Sequence, residues 1–197
     1  KKNEHVVNPM LVSDKYNEIK KKLTPDVMAN LSGTERDEVY SMLSALETEV
    51  RREKTHDSFL AFAKEVWEPF ICGRHHEKMA DAFERVAKGD LKRLMINMPP
   101  RMGKSQLTSW LLPAWIMGRS PEKKIIMASH TAELALRFGR MVRNLIGSEE
   151  FTNLFPKVSL TADSKAAGRF DVSGGGEYFS VGVGGAVTGR GADLLVI

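Results

Sequence analysis

Met98-Pro-Pro-Arg-Met-Gly-Lys-Ser105 follows the apolar run Leu94-Met-Ile-Asn97, and together these stretches are typical of a strand that leads into a phosphate-binding loop. In such a loop, backbone N–H groups of a tight turn and of the next helix hold the phosphates, while a Lys reaches the terminal phosphate and a Ser holds Mg²⁺. Gly103-Lys-Ser105 fills the last three positions of this pattern, but Met98 stands where the first glycine is usual. The stretch predicts a site for a nucleoside triphosphate.

The composition predicts a globular protein. The chain has 197 residues, of which 42% are hydrophobic, enough for one substantial domain and an appendage. Its net charge of +4 is compatible with a polyanionic partner, but 25 acidic residues nearly balance 29 basic ones, so this signal is weak. The lone Cys72 excludes an intramolecular disulfide and is typical of a small core residue.

The hydropathy pattern predicts no membrane partner. No apolar run approaches the roughly 20 residues that cross a bilayer. The amino end, Lys1-Lys-Asn-Glu-His5, is too polar for a signal peptide, which predicts a cytoplasmic protein.

The order of elements predicts the fold class. After the loop, Leu107–Met117 is a buried helix that Pro113 kinks or ends, Lys124–Ser129 is a buried strand, and Thr131 opens a further amphipathic helix. Strand and helix in alternation predict βαβ units. We therefore expect an α/β fold with a mainly parallel sheet flanked by helices.

The sequence predicts a helical amino-terminal extension over residues 1–57 and the main domain over residues 58–197. In the extension, a helical apolar stripe follows a possible cap at Thr34 and Asp37; its members are Val39, Met42, Leu43, Leu46 and Val50. In the domain, helical patterns at 59–67 and 79–86 flank a break at 69–73, and Gly174-Gly-Gly176 predicts a hairpin turn.

The carboxyl end predicts an incomplete site. Asp193-Leu-Leu-Val-Ile197 is an apolar strand after the Gly-rich turn Thr188–Gly191. In phosphate-loop enzymes such a strand ends on an acid that contacts the metal, and here that acid is expected just past Ile197. With no initiator Met, the chain is expected to be a fragment that ends before this acid.

Several segments in this order resemble the ATPase half of the large terminase subunit of tailed double-stranded DNA bacteriophages. The resemblance covers roughly residues 58–197, and the Pro-Pro-Arg-x-Gly-Lys-Ser loop is its most specific part. The other segments are Arg74–Lys78, Ala128–Ala135, Leu154–Pro156 and Thr188–Asp193.

This resemblance implies a P-loop NTPase fold of the RecA/ASCE-like type, truncated before the Walker B acid. It implies an ATP hydrolase in the host cell cytoplasm that uses ATP and Mg²⁺ to translocate viral double-stranded DNA into the procapsid. The implied partners are the DNA, the portal protein, the small terminase subunit and further copies of the chain in a homo-oligomeric ring. The fragment alone is expected to be inactive.

The site roles follow the loop pattern and the resemblance. Lys104 is expected to bind the β and γ phosphates, and Ser105 to ligate Mg²⁺. Arg101 is either an arginine finger or a member of a surface ion pair, and Arg190 is a second finger candidate. His75 and His76 lie where related ATPases contact adenine. The full nucleotide-binding set comprises His75, His76, Pro100, Arg101, Met102, Gly103, Lys104, Ser105 and Gln106.

Two other functions stay open on the sequence. A helicase or translocase of nucleic acid would share the loop, and a second RecA-like lobe instead of a nuclease would distinguish it. A non-catalytic DNA-binding assembly module with a vestigial loop would bind no ATP.

Overall fold

The computed structural model describes residues 11–68 and 70–197, with the side chains of all of these except 163–165. The chain divides into two compact units, Lys1–Lys54 and Thr55–Ile197. The predictions made on residues 1–5 and on Pro69 lie outside the described residues. Within the described part of the chain, no helix is both long and apolar enough to cross a membrane.

The first unit is helical. Its elements are α1 (Val12–Lys22), α2 (Pro25–Ala29) and α3 (Gly33–Asp57), of which the last continues past the unit boundary. Ser32 and Glu35 cap α3: the Glu35 carboxylate accepts a hydrogen bond of 2.8 Å from the Ser32 backbone N–H, and the Ser32 hydroxyl accepts one of 3.3 Å from that of Glu35. The cap therefore lies two residues before the predicted Thr34. The pairs Ser32/Glu35 and Thr34/Asp37 have the same spacing, and the structure forms the capping box with the first pair.

The second unit holds a helical layer on a small sheet. Its helices are α4 (Phe59–Val66), α5 (Arg74–Lys88), α6 (Leu112–Arg119), α7 (Ala132–Ile146) and α8 (Glu149–Leu154). Its strands are β1 (Ile125–Ser129), β2 (Leu160–Ala166), β3 (Arg169–Val172), β4 (Glu177–Gly182) and β5 (Leu194–Val196). The predicted cap of α7 is confirmed, since the Thr131 hydroxyl accepts a hydrogen bond of 3.2 Å from the Leu134 N–H.

The sheet has the strand order β2-β3-β4-β1-β5 and is mixed. β1 pairs in parallel with β4 and with β5, so that Ile125 lies between Tyr178 and Leu194. β3 pairs antiparallel with both β2 and β4. Phe170 and Tyr178 are opposite each other on β3 and β4, and their rings stack with centroids 4.8 Å apart.

The predicted mainly parallel sheet is therefore wrong, and with it the predicted fold class. The chain reverses between β2 and β3 and again at Ser173–Gly176, and turns this short can join only antiparallel neighbours. The predicted strand at 94–97 is also absent: this segment has no strand partner among the described residues, and Met95 is 84% exposed. The apolar character of this segment is not enough for a strand, because a strand also needs a neighbouring strand to pair with.

Aromatic side chains form the core of this unit. Phe59 of α4 meets Phe83 of α5 and Trp115 of α6 edge to face, with centroids 5.0 and 5.5 Å apart. The Trp115 indole N–H donates a 2.8 Å hydrogen bond to the Thr55 carbonyl, so its polar group is paired in the interior. Through Phe59, these contacts connect α5 and α6, the helices that precede and follow the 98–105 loop in the chain.

Candidate functional site: the 98–105 loop

The loop turns sharply into a long helical run. Arg101 has φ of 62° and Gly103 has φ of 77°, both in the left-handed region. Helical structure then starts at Lys104 and continues, through the π-helical segment Gln106–Leu111, into α6. The first bond of this run joins the Leu107 N–H to the Gly103 carbonyl at 3.0 Å. The loop thus ends at a helix amino terminus, where unpaired backbone N–H groups favour an anion.

The π-helical segment follows from Pro113. A proline has no N–H to give to the carbonyl four residues earlier, and its ring crowds that carbonyl. The helix widens just before it, so that the Leu112 N–H donates to the Leu107 carbonyl five residues back. The predicted buried helix is confirmed, and the predicted kink takes the form of this π segment.

His76, a residue of α5, connects α5 to the 98–105 loop. Its Nδ1 lies 3.0 Å from the backbone nitrogen of Gly73, and its Nε2 lies 3.1 Å from the carbonyl oxygen of Met102. A Cβ added to Gly103 would lie 3.0 Å from the same Nε2. The imidazole therefore packs directly beneath the left-handed turn of the loop.

The two predicted adenine contacts lie side by side. The rings of His75 and His76 have centroids 3.8 Å apart, and the Phe70 ring centroid lies 4.9 Å from that of His76. Nε2 of His75 is buried and has no hydrogen-bond partner among the described residues. Both ring nitrogens of His76, in contrast, face backbone groups.

A cavity of about 970 Å³ opens beside the start of the helix. Lys104, Ser105 and Thr108 line it from the loop side, and β5 lines it from the sheet side. Of the residues that the structure describes, five cationic side chains and one acidic side chain border it: Lys88, Lys92, Arg93, Lys104, Lys123 and Asp193. The excess of positive charge favours an anionic ligand.

Asp193 offsets one of these five positive charges, that of Lys123. One of its carboxylate oxygens accepts a 2.9 Å hydrogen bond from the Lys124 backbone N–H, and the other lies 3.3 Å from Nζ of Lys123. The hydrogen bond from the Lys124 N–H, helped by the Lys123 ammonium, holds the pKa of this carboxyl below its ordinary value. Both oxygens are engaged, so Asp193 serves the local structure between β1 and β5.

The residues at the cavity fit a Mg²⁺ ion only if the phosphates of a nucleotide supply further ligands to it. Among the described residues, no group of three or more His, Cys, Asp or Glu side chains is placed to hold a metal ion. Mg²⁺ keeps few protein ligands where it also binds the phosphates of a nucleotide. The Ser105 hydroxyl, exposed and lining the cavity, is the group that would hold it here.

Arg190 is engaged away from the loop. Its guanidinium donates to the Glu177 carboxylate at 2.5 Å and lies 4.1 Å from the centre of the Phe179 ring. Glu177 is the first residue of β4 and also pairs with Arg169 at 3.0 Å. Arg190 does not border the cavity, so a finger role would require it to leave these contacts.

The structure gathers part of the predicted set. Lys104 and Ser105 border the cavity, and His76 contacts the loop itself. The other predicted nucleotide-binding residues of the loop do not line the cavity, and most of them are exposed. They are Pro100, Arg101, Met102, Gly103 and Gln106.

Sequence reasoning missed the cations that precede the loop. Lys88, Lys92 and Arg93 join Lys104 at one cavity. The signal available was their position, directly before the apolar run that enters the loop. Comparison of the chain with models of known families, with curated proteins and with solved structures gave no match.

Proposed function

We propose that the chain binds ATP with Mg²⁺ at the 98–105 loop and acts as the ATPase motor part of a large terminase subunit. In this role, hydrolysis of ATP drives viral double-stranded DNA into the procapsid. The observation that carries the nucleotide site is the turn through left-handed Arg101 and Gly103 into a helix that starts at Lys104, beside a cationic cavity.

Three features of this site support a triphosphate. The helix amino terminus offers N–H groups and a partial positive charge. Lys104 adds a full charge that can meet the β and γ phosphates. Lys88, Lys92 and Arg93 raise the local potential further, which favours a ligand with several negative charges, whereas Lys123 is paired with Asp193.

The chemistry proposed is attack of water on the γ phosphate. Mg²⁺ bound with the nucleotide would neutralise charge on the phosphate oxygens, with Ser105 holding the ion. Lys104 would stabilise the charge that develops on the transferred phosphoryl group. Arg101 is exposed on the turn and is the arginine nearest to Lys104 in the sequence. The DNA, portal and small-subunit partners rest on the resemblance of the sequence segments.

A nucleotide titration tests the site. A fluorescent ATP analogue is titrated into the wild-type chain with and without Mg²⁺, and into three variants: Lys104→Ala, Ser105→Ala and Lys64→Ala. We expect Lys104→Ala to weaken binding about tenfold or more, because it removes a charge-assisted contact to phosphate. Ser105→Ala should remove the gain that Mg²⁺ gives to the wild type.

Lys64 is the matched control, an exposed lysine of α4 that does not border the cavity. Its replacement should leave affinity within about twofold, as surface substitutions usually do. Equal affinities for the Lys104 and Lys64 variants would contradict the site. For the motor role, Lys104→Ala in a packaging assay should abolish the entry of DNA into procapsids, and undiminished packaging would refute it.

A further inference from the structure

We infer that His76 is a positioning residue of the loop: in its neutral Nε2–H tautomer it bridges α5 and the Met102–Gly103 peptide and orients the Gly103 N–H. This role differs from the base contact that the resemblance implies. Its effect on ligand affinity rests on the proposed nucleotide binding, whereas the tautomer and the loop geometry do not.

The two backbone partners select one form of the ring. The Gly73 N–H can only donate, so Nδ1, 3.0 Å away, must offer a lone pair. The Met102 carbonyl can only accept, so Nε2, 3.1 Å away, must carry the proton. The Nε2–H tautomer of the neutral ring meets both demands, while the other tautomer and the cation each set a proton against the Gly73 N–H.

The contact with Met102 fixes a peptide plane. No cis peptide bond is present in the described chain, so the Met102 carbonyl and the Gly103 N–H point in opposite directions within the peptide plane, on opposite sides of the C–N bond. A carbonyl held towards His76 therefore directs the Gly103 N–H away from α5. Arg101 and Gly103, on either side, have left-handed backbone angles, and an anchor between them restrains a turn that would otherwise be costly.

Packing makes the anchor rigid. His76 is 9% exposed, and its ring centroid lies 4.9 Å from that of Phe70 and 3.8 Å from that of His75. Gly103 leaves the space that the imidazole edge fills, since a Cβ there would lie 3.0 Å from Nε2. The ring can neither turn over nor withdraw without disturbing these neighbours.

Nitrogen NMR of the histidine-labelled wild-type chain tests the tautomer directly. At about pH 8.5, where an ordinary histidine is neutral, long-range proton–nitrogen correlations show which ring nitrogen carries the proton. We expect His76 to carry it on Nε2, with Nδ1 unprotonated. A proton on Nδ1, or on both nitrogens, would overturn the inference.

Two variants test the positioning. His76→Gln keeps a donor near the Nε2 position, whereas His76→Asn keeps an acceptor near the Nδ1 position and has nothing that reaches Met102. We expect ATP affinity to fall about tenfold in His76→Asn and less than about threefold in His76→Gln, which corresponds to one lost hydrogen bond. The backbone amide chemical shifts of Gly103 should change more in His76→Asn than in His76→Gln.

Melting temperatures separate positioning from general stability. If His76 is merely structural, the ATP affinities and the Gly103 amide shifts of the two variants follow their melting temperatures, and that result would contradict the inference. If the wild type binds no ATP, the proposed function fails. The tautomer and the Gly103 amide shifts still decide the role of His76.

Discussion

Gly139 of α7 lies so close to the turn between β2 and β3 that a Cβ built on it would be 2.1 Å from the carbonyl oxygen of Ala167. The same Cβ would be 2.6 Å from the hydroxyl oxygen of Ser180 on β4. This approach seats α7 against the antiparallel part of the sheet, because a backbone carbonyl cannot move aside as a flexible side chain can.

Gly139→Ala should therefore destabilise the second unit by about 3 kcal/mol, the cost of overpacking a tight contact. Urea unfolding followed by tryptophan fluorescence measures this. Gly191→Ala is the control, since a Cβ there meets nothing within 4 Å and should change stability by less than about 0.5 kcal/mol. Similar stabilities for the two variants would show that α7 does not sit this close to Ala167.

Arg101→Gly should raise the free energy of unfolding by about 0.5 to 1 kcal/mol. Arg101 has φ of 62°, a conformation that costs an ordinary residue more than it costs glycine. The neighbouring Met102→Gly is the control, because Met102 has no positive φ and should lose stability from the added chain entropy. Chemical unfolding of both variants checks the signs, and a loss of stability in both would argue against the left-handed turn.

Arg190→Ala should lower stability by about 1 kcal/mol, because it removes an ion pair with Glu177 and a cation–π contact with Phe179. Arg190→Lys should recover part of this, since it keeps the charge without the flat guanidinium. Arg140→Ala, an exposed arginine of α7, gives the baseline. If Arg190→Ala matches that baseline, Arg190 does not hold these contacts in solution.

Asp193→Asn should reduce stability at pH 7 by at most about 1 kcal/mol, since its carboxylate is partly exposed. The pKa of Asp193 lies below its ordinary value of 3.8, so the stabilisation is complete above that value and is lost as the pH falls through the folded-state pKa. Unfolding at pH 7, 5 and 3 should show the gap between wild type and variant closing at the acid end. A gap that persists or widens there would contradict the assigned hydrogen bonds.

Local chemistry made part of this structure predictable. The α7 cap at Thr131, the buried strand near Ile125 and the turn at 174–176 each follow from a few adjacent residues, and all three are present. The strand at 94–97 and the mainly parallel sheet were wrong, because a strand exists only through its neighbours. Leu94–Asn97 is apolar, but among the described residues it pairs with no strand, and Leu94 and Ile96 border the cavity that β5 also lines.

The candidate site also has some features that the sequence predicts and others that it does not. Gly103-Lys-Ser105 was evident from the sequence, because the pattern is local and its chemistry depends on residue type. The four other cations of the cavity and the contact of His76 with Met102 were not, since these groups are distant along the chain; His76 and Met102 are 26 positions apart.

By itself, the sequence determined the Thr131 cap of α7, the glycine turn at 174–176 and the Lys-Ser pair after Gly103, all of which are set by bonds and torsions within a few residues. Only the tertiary structure decided which strands became neighbours, that His76 lies beneath the loop, and that Arg190 faces Glu177 instead of the cavity. The physical reason is that pairing and packing depend on which distant groups the whole chain brings within a few ångströms of each other.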